Sequence, residues 1–251
     1  MTEAKWNPGA FVWRELMTPD VEKAKAFYGE LFGWSYEDAP MGDFVYTLIK
    51  AGEKAVGGMM PMQGSEHPPH WMSYASVPDV DASASAARAH GGQVPVGPMD
   101  VPNVGRFAVI GDPDGAYVTV FRSAMGDPPA GAQPGLGEFC WETLSTKDIE
   151  RAKSFYAAVV GWKGGTGPMG PDVTLFSMGE QIIADVQLAE SMPPSWATYV
   201  VVSKIEDAQA KLTKLGGKTI VPRIDIPTVG GVGFFADPSG AVLGLYEPAA
   251  S

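Results

Sequence analysis

The chain is written twice. Gly9–Trp34 aligns without gaps on Gly137–Trp162, with identities at Trp13/Trp141, Leu16/Leu144, Asp20/Asp148, Ala24/Ala152, Phe27/Phe155, Tyr28/Tyr156 and Gly33/Gly161. A second block, Trp71–Ala116 on Trp196–Ala241, matches Gly91-Gly92 to Gly216-Gly217, Pro102 to Pro227, Gly105 to Gly230 and Asp112-Pro113 to Asp237-Pro238. One short deletion separates the two blocks in the second copy. Each copy is doubled again, more faintly. Pro19-Asp20-Val21-Glu22 returns as Pro78-Asp79-Val80-Asp81, while Ile149, Glu150, Ala152 and Gly161 fall on Ile205, Glu206, Ala208 and Gly217. Four modules of about sixty residues call for a fold assembled from a repeated supersecondary unit, none of which buries its apolar face alone.

One module reads clearly. Phe11–Leu16 sets Phe, Trp and Glu on one face and Val, Arg and Leu on the other, the period of a strand. Thr18-Pro19-Asp20 offers a helix start, with Thr18 as the cap, Pro19 in the first turn and an acid near the positive end of the dipole. Val21, Ala24, Phe27, Tyr28, Leu31 and Phe32 recur at helical spacing, and Gly33 ends the helix. Strand-like runs follow at Phe44–Lys50 and Val56–Met62. The second module repeats the pattern with a helix over Asp79–His90 and a tight turn at Asp112-Pro-Asp-Gly115, the sister of Asp237-Pro-Ser-Gly240. Paired βαβββ modules predict an α+β fold in which a sheet carries its helices outside and a cleft within. Gly126–Gly137, rich in Gly and Pro, reads as a linker, so the expected domains are 1–124 and 137–251 with 125–136 between them.

Composition excludes several function classes. Of the 251 residues 45% are hydrophobic and 19% charged, enough for real cores, and the net charge of -11 repels phosphate backbones and anionic headgroups. Nucleic acid and membrane partners are therefore not expected, and no apolar run reaches bilayer length. Met1-Thr-Glu-Ala-Lys-Trp-Asn-Pro8 has no apolar signal core, which sets the expected compartment as the cytoplasm. The single cysteine, Cys140, stands where the first copy has Val12 and reads as a small buried filler.

With these elements in place the chain resembles a known family. The Asp20-Val-Glu-x-Ala-x-x-Phe-Tyr28 helix, Gly33-Trp34 and the closing Asp-Pro-x-Gly strand are similar to the vicinal oxygen chelate superfamily. That superfamily includes glyoxalase I, extradiol dioxygenases, fosfomycin-resistance enzymes and bleomycin-binding proteins. Trp13-Arg-Glu-Leu-Met-Thr-Pro-Asp20 and Phe32-Gly-Trp34 look closest to its tandem-domain, glyoxalase-like bacterial members. The resemblance implies metal ligands: a His or Gln on the first strand, a Glu after the Asp-Pro-x-Gly turn, and a His opening the second module. At the first of these positions stand Trp13 and Trp141, at the second Thr119 and Gly244, and neither Trp71–Ser73 nor Trp196–Thr198 contains a histidine. Indole offers a metal no lone pair and glycine no side chain. No metal and no cofactor is therefore expected.

Two readings of function lead, with a structural or interaction protein whose clefts are unused as a third. In one, a small, partly apolar molecule binds in the cleft of one or both domains; in the other, a lyase, isomerase or hydroxylase/dioxygenase-like enzyme uses Glu15 as base or a non-standard metal site. Either fits a monomer with two pseudo-symmetric lobes or a homodimer. Glu15 shares a strand face with Trp13 and should point into the first cleft; the matching residues of the second are Trp141 and Thr143, with Glu142 on the opposite face. A carboxylate beside an indole serves as a general base or recognises a ligand donor, unless it is a strand-end acid that reaches water or pairs with an arginine. Met59, in the run Gly57–Met62, either lines the cleft or packs in the core, and Thr119 completes the set of candidate ligand contacts. Glu66-His-Pro-Pro-His70 reads as an extended loop, because the second copy has Met192-Pro-Pro-Ser195. Gly217-Lys-Thr219 lacks the glycine that a phosphate-binding loop requires at Leu212.

Overall fold

The computed structural model describes residues 5–249 apart from 43, 63, 65–66, 130, 132, 168–169 and 190–191. Its elements follow the four modules. The first contains β1 (Phe11–Thr18), α1 (Val21–Phe32), β2 (Ser35–Met41), β3 (Phe44–Ala51) and β4 (Lys54–Pro61). The second contains β5 (His70–Ser76), α2 (Val80–Ala89), β6 (Gln93–Val101), β7 (Gly105–Gly111) and β8 (Tyr117–Ser123). The third contains β9 (Phe139–Thr146), α3 (Ile149–Val159), β10 (Lys163–Gly167), β11 (Gly170–Met178) and β12 (Gln181–Leu188). The fourth contains β13 (Ser195–Val201), α4 (Ile205–Lys214), β14 (Lys218–Ile226), β15 (Gly230–Ala236) and β16 (Val242–Pro248). The class is α+β, with two eight-stranded sheets in the same order: β2-β3-β4-β1-β5-β8-β7-β6 and β10-β11-β12-β9-β13-β16-β15-β14. Each sequence copy supplies one sheet.

Local chemistry explains the element ends. Asp20, not Thr18, caps α1: its side chain accepts from the Lys23 N–H at 3.0 Å, leaving Pro19 outside the helix. Gly33 adopts φ 74° and its N–H returns to the Gly29 carbonyl, a turn that a Cβ would strain. The strand β2 escapes sequence pattern because Ser-Tyr-Glu-Asp-Ala-Pro-Met carries two acids and a proline, as edge strands do.

The chain packs as two compact units, and neither is a repeat half. The first unit comprises residues 1–12, 73–132 and 142–196; the second comprises 13–72, 133–141 and 197–251. Each takes one module from each copy. In the first unit Ala84, Ile110, Val118 and Val120 bury against Leu144, Phe155, Tyr156, Trp162 and Phe176. In the second, Leu16, Phe27, Tyr28, Trp34 and Met59 bury against Val200, Ile205, Leu212, Phe235 and Leu245. At about 1.5–3 kcal/mol per fully buried large side chain, these contacts supply most of the drive to fold.

A polar chain crosses each core and accounts for three of the repeated identities, Trp71/Trp196, Tyr28/Tyr156 and Asp112/Asp237. In the second unit the Trp71 indole donates to the Tyr28 hydroxyl at 3.1 Å, and that hydroxyl donates to Asp237 at 3.0 Å. The other Asp237 oxygen accepts from the N–H groups of Ser239, Gly240 and Ala241. In the first unit Trp196, Tyr156 and Asp112 form the same chain at 2.8 and 3.1 Å, and Asp112 accepts from Asp114, Gly115 and Ala116. Every buried polar group along both chains finds a partner, as burial demands. Burial, with the facing aspartate, drives both tyrosines well above the ordinary phenol range.

Candidate functional site

The site begins with a register. Strands β1 and β4 run parallel with Glu15 beside Gly58 and Leu16 beside Met59. Alternation then divides the two strands between faces. Leu16 and Met59 are fully buried in the core that also holds Ala24 and Phe27 of α1. Met59 therefore lies on the face away from Glu15 and does not join the other candidate contacts; its flexible side chain fills the core.

Trp13 and Glu15 occupy the other face, and a tyrosine joins them. The half-buried Trp13 indole donates to the Tyr46 hydroxyl at 2.8 Å, and the Glu15 carboxylate lies close enough to that hydroxyl to act on it electrostatically. Glu15 is only 8% exposed. Burial, then the neighbouring Glu15 charge, raises the Tyr46 phenol far above its ordinary value, so it remains a donor throughout the neutral range. Gly58 makes the arrangement possible, because a Cβ there would overlap the Tyr46 hydroxyl and ring. Sequence reasoning placed Trp13 and Glu15 on one strand face but did not bring Tyr46 to them; the signal that could have done so is Gly58, a glycine inside a strand, which marks close approach of another group.

The second copy is arranged differently. Thr143 stands beside Asp185 on β12 and donates to it at 2.6 Å, while Gln187 donates to the other Asp185 oxygen at 2.8 Å. Asp185 is 7% exposed and Thr143 4%. Both belong to the first unit, whereas Trp141 belongs to the second, where its carbonyl accepts from Thr198 at 3.5 Å. Glu142 is buried and accepts from Ser73 at 3.5 Å. Cys140 is half-buried rather than fully enclosed, with its thiol donating to the Tyr199 carbonyl at 3.5 Å.

The residues at the positions where the resemblance implies metal donors do not make a donor set. The Trp13 N–H is committed to Tyr46. Thr119 on β8, beside Tyr74 of β5, is wholly buried, and among the described residues its hydroxyl has no hydrogen-bond partner. At Gly244 the Tyr199 ring lies where a Cβ would stand. Among the described residues no three His, Cys, Asp or Glu side chains converge as a metal site. The His70 imidazole sits 2.8 Å from the Pro68 carbonyl, His67 is exposed, and Glu66 lies outside the described residues. Neutral hydroxyl and indole groups are poor ligands for a divalent transition metal.

Among the described residues no helix is long and apolar enough to cross a membrane. The chain is 32% identical to "Putative glyoxylase CFP32" of Mycobacterium tuberculosis, over 98% of this chain and 97% of that one. It is 29% identical to the anthracycline biosynthesis protein DnrV of Streptomyces peucetius, over 97% and 94% of the respective chains. Among solved structures it superposes on the 2,3-dioxygenase LapB of Pseudomonas sp. KL28 with TM-score 0.63 at 12% identity, covering 98% of this chain and 94% of that one. The Mn(II)-bound glyoxalase of Novosphingobium aromaticivorans gives TM-score 0.62 at 16% identity, covering 98% and 83%. At such identities these two likenesses speak for the fold alone. The model of the Glyoxalase/Bleomycin resistance protein/Dioxygenase superfamily matches residues 10–120 and 141–245, and the chain belongs to that superfamily.

Proposed function

We propose that this protein binds a small, partly apolar molecule bearing a hydrogen-bond donor, held against Trp13 and read by the Glu15 carboxylate without the superfamily's metal. The observation that carries this reading is the grouping of Trp13, its partner Tyr46 and the buried Glu15 on the strand face where the resemblance implies a metal ligand. The indole fixes the phenol, which stays un-ionised at neutral pH, and the β1–β4 register sets Glu15 beside it. A carboxylate so oriented suits recognition, since its position is set before a ligand arrives. The relative named for anthracycline biosynthesis supports a planar, hydroxylated aromatic as the ligand class.

The test is a titration with an anthracycline such as doxorubicin, followed by tryptophan emission. Wild type should bind with a change in emission, and Glu15→Gln, which keeps size but removes charge, should weaken binding by about 1.5–3 kcal/mol, the scale of a charge-assisted hydrogen bond. Unaltered affinity in Glu15→Gln would refute the assignment. A second reading draws on the same buried carboxylate, with Glu15 as general base. Conversion of the bound probe, abolished by Glu15→Gln, would favour it.

A further inference from the structure

The second copy looks at first as if it had lost its acid, because Thr143 replaces Glu15. The registers tell otherwise. In the first copy Glu15 pairs with Gly58, which in turn pairs with Leu48 on β3. In the second copy Thr143 pairs with Asp185, which in turn pairs with Leu175 on β11. Gly58 and Asp185 are therefore equivalent, and two residues before each leucine Tyr46 is equivalent to Val173. Three substitutions are coupled: Glu15, Gly58 and Tyr46 in one copy become Thr143, Asp185 and Val173 in the other.

The coupling has a steric cause. With Tyr46 present its ring covers β4, and no side chain at Gly58 fits beneath it. Val173 has no ring to lay across β12, so an acid can stand there. That acid then occupies the strand next to the one that carried Glu15. The neighbouring Thr143 donates to it at 2.6 Å.

We propose that Asp185 is the ligand-recognising carboxylate of the second copy, the counterpart of Glu15 reached from the adjacent strand. The protein then carries two sites for the same chemical class: a partly apolar molecule that presents an O–H or N–H donor to a buried carboxylate. This rests on the reading of Glu15 above and extends it to a residue on a different strand.

Doxorubicin titration by calorimetry, counting sites, tests it. Wild type should show two sites. Glu15→Gln should weaken one by about tenfold or more and Asp185→Asn the other, while the double variant should lose both. A second design avoids dependence on the folding of Asp185→Asn. Glu15→Thr with Tyr46→Val should abolish the first site, and adding Gly58→Asp should restore it, because the first copy then carries the second copy's arrangement. Two sites of wild-type affinity in Asp185→Asn, or no restoration by Gly58→Asp, would overturn the proposal while leaving Glu15 recognition standing. If doxorubicin binds nowhere on the wild type, both readings fall together.

Discussion

At the residue scale Gly58 and Asp114 bear the clearest consequences. Gly58→Ala forces the Tyr46 ring out of place and should destabilise the fold by about 1–3 kcal/mol, the usual cost of overpacking. Tyr46→Ala should remove that penalty in the double variant, which denaturant unfolding of the four-member cycle would check. Asp114 accepts from the Thr146 hydroxyl at 2.7 Å and the Lys147 N–H at 3.1 Å, and pairs with Arg151. Burial pushes its carboxyl up, but Thr146, Arg151 and Lys147 outweigh burial and leave it below the ordinary value of 3.8. A carboxyl lowered on folding adds stability above its unfolded value and loses it as pH falls through the folded one. Asp114→Asn should therefore cost about 1–2 kcal/mol at pH 7, with the gap from wild type closing below pH 4 in a melting series. A gap independent of pH would mean the charge plays no part. That Trp13 and Glu15 share a strand face was legible from alternation alone. The places of Tyr46 and Asp185 were not, because they are set by registers between strands that a single sequence does not specify.

At the element scale the alternating strand and the amphipathic helix were readable, and β2 was not, since an exposed edge has no apolar face to announce it. Met59 went to the core for the same reason that Glu15 avoided it: paired strands fix which residues share a face. The cap moved from Thr18 to Asp20, a shift of the size expected when Thr, Pro and Asp compete at one helix start. The Trp–Tyr–Asp chains join a helix to a turn in the other copy's module. Tyr28→Phe strands a buried Asp237 oxygen and the Trp71 N–H, and Tyr156→Phe does the same to Asp112 and Trp196. Each should cost about 1–3 kcal/mol by chemical denaturation, far more than an exposed tyrosine would. A cost under about 0.5 kcal/mol would show that the chain carries little of the core's stability.

At the scale of the whole molecule, the repeat was plain in the sequence, but the partners within each core were not. The copies read as successive domains, 1–124 and 137–251, and each compact unit holds one module from each copy. A linker signal locates the joint between copies and says nothing about which apolar faces meet. An isolated half leaves the faces of its two helices without their partners, so residues 1–124 expressed alone should dimerise or aggregate, as sedimentation would reveal. The central claim is recognition by a preset carboxylate without metal. Its most direct test is calorimetric titration of chelator-treated protein with doxorubicin, with and without added Mn(II) or Zn(II). Affinity unchanged by either ion, and at least about tenfold weaker in Glu15→Gln, is the expected result. Binding that appears only when a metal is restored, and that ignores Glu15→Gln, would contradict it.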